Sequence, residues 1–205
     1  MREPVVYIVD DDVIATAAMR KVVEGGGYKV NTYPNALEFL QAYSPQQRGC
    51  LLLDLRMPDI SGLELQQELA KREATMPIIF VTGCGDIQSA VRAMKAEALD
   101  FLIKPVNTEL LIETIHHALK QDAATRERRT RTHEIREREQ RLTRREREVM
   151  GLVVAGQSTK EVAQTLGISP NTVEIHRYKI MRKMQAGSVA ELVNMAHECE
   201  LASSP

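Results

Sequence analysis

The chain has 205 residues, 43% hydrophobic and 27% charged, which is material for two ordinary globular domains. No apolar run approaches the ~18 residues a membrane-spanning helix needs, and the N-terminus lacks the apolar stretch of a signal peptide, so a cytoplasmic location is expected. Its 27 Lys and Arg nearly balance 28 Asp and Glu, but the balance conceals a division: residues 1–119 hold 11 basic against 16 acidic side chains, and residues 120–205 hold 16 against 12. An acidic front and a basic rear suggest two modules, the rear one suited to a polyanion. Cys50, Cys84 and Cys199 are widely spaced and form no CxxC, which argues against a disulfide framework or a zinc ribbon. Cys50 and Cys84, in or beside apolar segments, read as buried inert thiols.

In chain order, short apolar runs at Val5–Val9, Lys29–Tyr33, Cys50–Leu53, Ile78–Val81 and Asp100–Ile103 alternate with helical spacings. Ile14, Ala18 and Val22 mark the first helix, Leu63, Leu65 and Leu69 the third, Ala90, Ala93 and Met94 the fourth, and Leu110, Leu111 and Ile115 the fifth. Gly25-Gly26-Gly27 is expected to stop the first helix and Thr75-Met76-Pro77 the third. Five β–α units in about 120 residues predict an α/β, flavodoxin-like, doubly wound five-stranded parallel sheet with both faces covered. From Lys120 to Glu148 there are 11 basic and 7 acidic residues and neither Pro nor Gly. A solvated helix with favourable Glu127–Arg131, Glu134–Arg138 and Glu137–Arg141 pairs is predicted there. A coiled-coil seam is the sharper alternative, but Ile135 and Leu142 alone make no heptads.

Beyond Leu142 every signal is helical. Thr143 with Glu146 is a capping box, Gly156 a stop, Ser158 the start of a short helix closed by Gly167, and Ser169-Pro170 the start of a helix through Met184. Gly187-Ser188 leads into a last helix carrying Val189, Leu192, Val193 and Ala196. The predicted organisation is thus residues 1–120, a charged helical linker over 121–141, and an all-α four-helix domain over 142–205.

Parallel doubly wound sheets place chemistry at the carboxyl ends of their strands. In this register Asp10, Asp11 and Asp12 end the first strand, Asp54 the third, Thr82 the fourth and Lys104, before Pro105, the fifth. Each alone has an ordinary structural explanation: a helix cap, a turn hydroxyl, a solvated ammonium. Their convergence on one rim favours a site that binds Mg2+ through hard oxygen ligands, Mn2+ being the alternative, with one carboxylate acting as a nucleophile towards phosphorus.

Val9-Asp10-Asp11-Asp12, Asp54-Leu55-Arg56-Met57-Pro58, Val81-Thr82-Gly83 and Lys104-Pro105 together resemble the receiver domain of a two-component response regulator. The resemblance implies that Asp54 is the phosphoacceptor and Asp11 the main Mg2+ ligand. Asp10 acts directly or through water, and the Arg56 backbone carbonyl completes the protein ligands. It further implies Thr82 and Phe101 as a switch pair, Lys104 as the phosphate partner and a cis Lys104–Pro105 peptide. Asp12 is an additional acid with a structural role, and Glu97 stands where many relatives have Gly.

In the rear domain, Thr159–Leu166, a Gly167-Ile168-Ser169 turn and the helix from Pro170 form a helix-turn-helix pattern. The second helix exposes amide, hydroxyl and basic groups, while Val173, Ile180 and Met184 remain for the core. The series Leu142-Thr143, Arg145-Glu146, Gly156, Ser158, Lys160-Glu161-Val162-Ala163, Gly167-Ile168-Ser169 and Thr172-Val173-Glu174 resembles a LuxR-type DNA-binding domain. The pairing of the two domains resembles the FixJ branch of response regulators. By position, the resemblance implies that Glu174, Ile175 and Tyr178 face bases, and that Lys160, Asn171, Thr172, Arg177 and Lys179 contact phosphates. Glu174, an acid, could accept from a cytosine amino group.

The expected function is a phosphorylation-dependent, DNA-binding transcription regulator, an activator by analogy. A sensor histidine kinase would donate to Asp54, a homodimer would form on phosphorylation, and promoter DNA and RNA polymerase would be partners. No dedicated enzyme is expected, only Mg2+-dependent phosphotransfer and autodephosphorylation. A Mg2+-dependent phosphohydrolase is disfavoured because Arg56 stands where a second acid belongs, and an ATPase because no Gly-x-x-x-x-Gly-Lys loop occurs. An output domain that binds protein or RNA is the third alternative.

Overall fold

The computed structural model describes residues 3–83 and 87–201, without the side chains of 87–89, 200 and 201; Cys84 lies outside this description. The chain divides into a unit over residues 1–126 and a unit over residues 127–205.

In the first unit β1 (Val5–Val9), β2 (Lys29–Tyr33), β3 (Gly49–Leu53), β4 (Ile78–Thr82) and β5 (Asp100–Ile103) form one sheet in the order β2-β1-β3-β4-β5, every pair parallel. Strands covered on both faces must be apolar almost throughout, and β3 and β4 are buried at all ten positions. Two cores result. Tyr7, Val9, Phe39, Leu53, Leu65 and Phe80 fill one face, and Val6, Ile8, Val23, Leu52, Ile79 and Ile115 the other. The intervening helices are α1 (Val13–Gly25), α2 (Ala36–Ala42), α3 (Gly62–Lys71), α4 (Ile87–Lys95) and α5 (Thr108–Gln140).

Local signals set most helix ends. Asp12 caps α1, its carboxylate accepting from the N–H groups of Ile14 and Ala15 at 2.8 and 3.0 Å. Those bonds hold its carboxyl below the usual carboxylate range. Ser61 and Glu64 form a reciprocal capping box on α3. The third helix ends earlier than expected, at Lys71 rather than near Thr75. Arg72 caps it and Glu73 adopts φ 53°, which turns the chain so that Met76 enters the core. Cys50 is fully buried, and burial pushes its thiol up to about 12, as an inert thiol requires.

The stretch of α5 beyond Lys120 is not the uniformly solvated helix its composition suggests. Asp122 is buried and accepts from Gly49 N–H at 3.0 Å, and Arg126 Nε donates to both its oxygens at 2.8 and 2.9 Å. The Arg126 guanidinium also donates to the carbonyls of Pro45 and Gln47. This part of the helix is therefore docked within the first unit.

The second unit contains the end of α5, then α6 (Arg144–Val154), α7 (Thr159–Leu166), α8 (Pro170–Met184) and α9 (Val189–Leu201). Ile135 joins Leu142, Val149, Val162, Val173, Ile180, Met184 and Leu192 in its core. Arg138 pairs with Glu134 at 3.5 Å as expected, but Arg131 pairs with Glu198 of α9 at 2.8 Å. The predicted caps are present: the box at Thr143–Glu146, Ser158 before α7, Ser169 before α8, and Gly167 at φ 64° closing α7; Ser158 additionally forms a box with Glu161. A left-handed residue there lets α7 end sharply before α8 begins.

Candidate functional site

The strand order reverses direction at β1, and the crevice between the ends of β1 and β3 is where such sheets carry their sites. Asp10 follows β1 and Asp54 follows β3; both are buried, at 3% and 6% exposure. Lys104, after β5, reaches across to them, its Nζ 2.5 Å from Asp10 Oδ2 and 3.3 Å from Asp54 Oδ1. Two carboxylates taken out of water need such a cation. Burial pushes the Asp10 carboxyl upward, more than the bonds from Lys104 and the Asp12 N–H pull it down. Burial alone would lower the Lys104 ammonium, but its bonds to Asp10 and Asp54 raise it above the ordinary lysine value.

Asp54 is aimed from both sides. Its Oδ2 accepts from Arg56 N–H at 2.7 Å while its Oδ1 faces Lys104. Thr82, 1% exposed, ends β4 beside this crevice. Phe101 is half-buried on β5 and lies 6.2 Å, centroid to centroid, from Phe80. The Lys104–Pro105 peptide is cis. Asp11 is exposed and Asp12 is spent on capping α1.

The rim thus brings Asp10, Asp54 and Lys104 together. Among the described residues no group of three or more acidic, His or Cys side chains stands in a metal-holding arrangement. The donor chemistry nevertheless suits Mg2+: Asp10 and Asp54 are hard oxygen donors already gathered around one positive charge, and Asp11 and the Arg56 carbonyl adjoin them in sequence.

Sequence reasoning missed Gly62. A Cβ there would stand 2.2 Å from the carbonyl oxygen of Asp54, so only glycine allows α3 to start against the backbone of Asp54. The Ser61-Gly62 pair at a helix start was its one visible sign.

In the second unit, α8 exposes Asn171, Glu174, Ile175, Tyr178, Lys179 and Arg182, and buries Val173, Ile180 and Met184. The exposed residues fall three or four apart and so line one face. Ile175 is 48% and Tyr178 64% exposed, and the Arg182 guanidinium lies 5.9 Å from the Tyr178 ring centre. Lys160 is exposed on α7. Thr172 is half-buried, its N–H donating to the Ser169 cap at 3.1 Å. Glu174 accepts from the Thr159 hydroxyl at 2.6 Å and has Arg177, itself half-buried, 4.0 Å away. These contacts fix the carboxylate on the exposed face.

Comparison with known proteins agrees with both halves. Residues 6–116 match the response regulator receiver domain, and residues 140–196 match the luxR family of bacterial regulatory proteins. The response regulator protein TodT of Pseudomonas putida is 40% identical over 194 residues, 95% of this chain and 86% of TodT. The transcriptional regulatory protein FixJ of Rhizobium meliloti is 42% identical over 197 residues, 96% of each chain. The solved structure of the response regulator StyR superposes with a TM-score of 0.84 at 38% identity, covering 96% of this chain and all of StyR. A parallel sheet with an acidic switch point, a helical unit with an exposed polar helix, and likeness along almost the whole length lead to one assignment: the chain belongs to the two-component response regulators, as a transcription regulator that joins a receiver domain to a luxR-type DNA-binding domain.

Proposed function

We propose that Asp54 is the phosphoacceptor of this regulator and that its phosphorylation promotes pairing of receiver domains and binding to promoter DNA. The observation that carries this reading is the Lys104 ammonium held between two buried carboxylates, Asp10 and Asp54. A carboxylate fixed on one oxygen by the Arg56 N–H presents its other oxygen towards an incoming phosphorus. An oxygen of Asp54 attacks, the P–N bond of the kinase's phosphohistidine breaks, and Lys104 stays at hand to neutralise the transferred group. Asp11, Asp54, the Arg56 carbonyl and Asp10, directly or through water, would hold Mg2+, which supplies charge neutralisation at the phosphoryl oxygens.

The new charge draws the Thr82 hydroxyl inward and Phe101 follows, altering the face formed by α4 and β5. Functionally, the receiver spans residues 1–120, a linker helix 121–141 and the DNA-binding domain 142–205. A homodimer then presents two α8 helices to an inverted repeat. Glu174, Ile175 and Tyr178 face bases; Lys160, Asn171, Thr172, Arg177 and Lys179 face phosphates. A sensor histidine kinase and RNA polymerase are the protein partners, in the cytoplasm, and the outcome is activation.

The test is intact mass and oligomeric state after treatment with acetyl phosphate and Mg2+, on the full chain and on Asp54→Asn. One added phosphoryl group and a shift towards dimer, both absent from the variant, are expected. An unmodified wild-type protein would sink the reading.

A further inference from the structure

Gln66 is a buried amide in an apolar layer. It sits on the inner face of α3, 3% exposed, between Leu65 and Leu69, which are 0% and 2% exposed. Its Nε2 donates to two main-chain carbonyls at the end of α4, that of Ala93 in its last turn at 3.2 Å and that of Ala96 just beyond it at 2.7 Å. Its Oε1 is buried with no hydrogen-bond partner among the described residues. Exchanging the two amide atoms cannot relieve this, because an oxygen would then face two carbonyl oxygens.

The two carbonyls lie where α4 ends. Ala93 O also accepts from the N–H of Ala98, and Glu97 between them is left-handed at φ 64°. The last turn of a helix has carbonyls without intrahelical partners, and here a side chain of α3 supplies two donors. A buried orphan acceptor ordinarily costs free energy. An apolar residue of the same size would carry no orphan, so packing alone does not call for glutamine. The same helix exposes Val91 and Met94, 46% and 47%, on its outward side, part of the face that the phosphorylation reading has altered.

We propose that Gln66 is a positioning residue that latches the last turn of α4 to α3 and so sets how readily the α4 face moves on phosphorylation. This rests on the proposed function in its second half only. The bonds hold α4 in the resting position, and the orphaned oxygen keeps that hold from being stronger. Removing the amide frees α4 to take the active position without phosphate.

Gln66→Met keeps volume and removes both the bonds and the orphan. Gln66→Glu keeps shape but sets a carboxylate against two carbonyls. Hydrogen exchange of the full-length, unphosphorylated protein is read at the amides of Ala96, Glu97 and Ala98, with the β1 and β3 amides as an internal control. In both variants exchange is expected about tenfold faster at the end of α4 and unchanged in the strands. The dimerisation constants with and without acetyl phosphate are measured on the same samples, phosphorylation being followed by mass. The wild-type ratio between the two states should shrink several-fold in Gln66→Met, through tighter pairing of the unphosphorylated form. A purely structural role would lower melting temperature and leave that ratio alone. Unchanged exchange at Ala96–Ala98, or faster exchange with an unchanged ratio, overturns the latch. If wild type takes no phosphoryl group, the phosphorylation reading falls and the ratio no longer decides; the latch is then judged on the unphosphorylated form alone, upheld by tighter pairing of Gln66→Met and overturned by unchanged pairing.

Discussion

The two ends of this regulator use charge in opposite ways. In the receiver, Asp10 and Asp54 are buried and share one lysine, so each charge depends on the others being in place. On α8, Asn171, Glu174, Lys179 and Arg182 are exposed, and the helix is held by Val173, Ile180 and Met184 beneath them. Buried charges are interdependent and intolerant of change, whereas solvated charges on a helix face act nearly independently. One arrangement suits an all-or-none switch, and the other suits graded reading of a polyanion.

The largest effect should come from breaking the buried set. Lys104→Gln removes the ammonium that faces Asp10 and Asp54. Phosphoryl uptake from acetyl phosphate, followed by intact mass, should slow by about 100-fold, the scale seen when a preorganised charge stabiliser is lost. DNA binding by the unphosphorylated protein should not change. A loss below tenfold would mean that the rim is no more interdependent than α8.

The DNA-binding unit holds one exception that sharpens the contrast. Glu146 is buried at 3% exposure, with Lys183 Nζ 2.6 Å away and the Thr143 N–H at 2.8 Å. Burial alone would push its carboxyl up, but the bonds from Lys183 and Thr143 outweigh that and hold it below the usual carboxylate range. A depressed folded value means that its stabilisation is fully present above the unfolded value, about 4.3, and lost as pH falls through the folded value. Melting of the second unit should therefore weaken below about pH 4.3. Glu146→Gln should cost about 2 kcal/mol at neutral pH and flatten that acid limb. Thermal melts across pH 3–7 check both.

On the exposed face, effects should separate by role. Glu174→Ala should relax base preference at one position by about 1–2 kcal/mol, read by selection on a randomised operator. Lys160→Ala should weaken binding to all sequences alike and reduce the salt slope by about one. Lys160→Ala should not move the melting temperature, because its side chain is solvated, and Glu174→Ala should lower it only slightly, through loss of the exposed bond from the Thr159 hydroxyl.

How much of this was legible in the sequence follows from how local each signal is. Strand ends, caps and the acids after β1 and β3 are written in short motifs, so Asp10, Asp54, Lys104, Thr143, Ser158 and Ser169 can be placed from their neighbours along the chain. Contacts made across the fold leave no such mark. Nothing about Asp122 in a charged run announces that it is buried against the Gly49 N–H, or that Arg126 reaches Gln47. Gln66 likewise reads as a polar break in a leucine pattern, since its acceptors lie 27 and 30 residues further along the chain. The early end of α3 was hidden because Glu73 takes a left-handed conformation that composition does not suggest.

Glu97 was visible in sequence only as a departure, and it provides the smallest test. It holds φ 64° after α4, where its N–H donates to Met94 O and the chain turns so that Ala98 can bond back to Ala93. A residue with a Cβ pays about 1 kcal/mol to sit there, and glycine does not. The offsetting term is the greater freedom that glycine has in the unfolded chain. Glu97→Gly should accordingly stabilise the receiver by at most about 0.5 kcal/mol in urea denaturation, with the slope unchanged. It leaves the Gln66 bonds in place, so phosphoryl uptake at the buried rim should be unaltered. A destabilised Glu97→Gly protein would show that the glutamate side chain makes up for the conformation it occupies, and that even this solvated charge is tied to its surroundings in the manner of the rim.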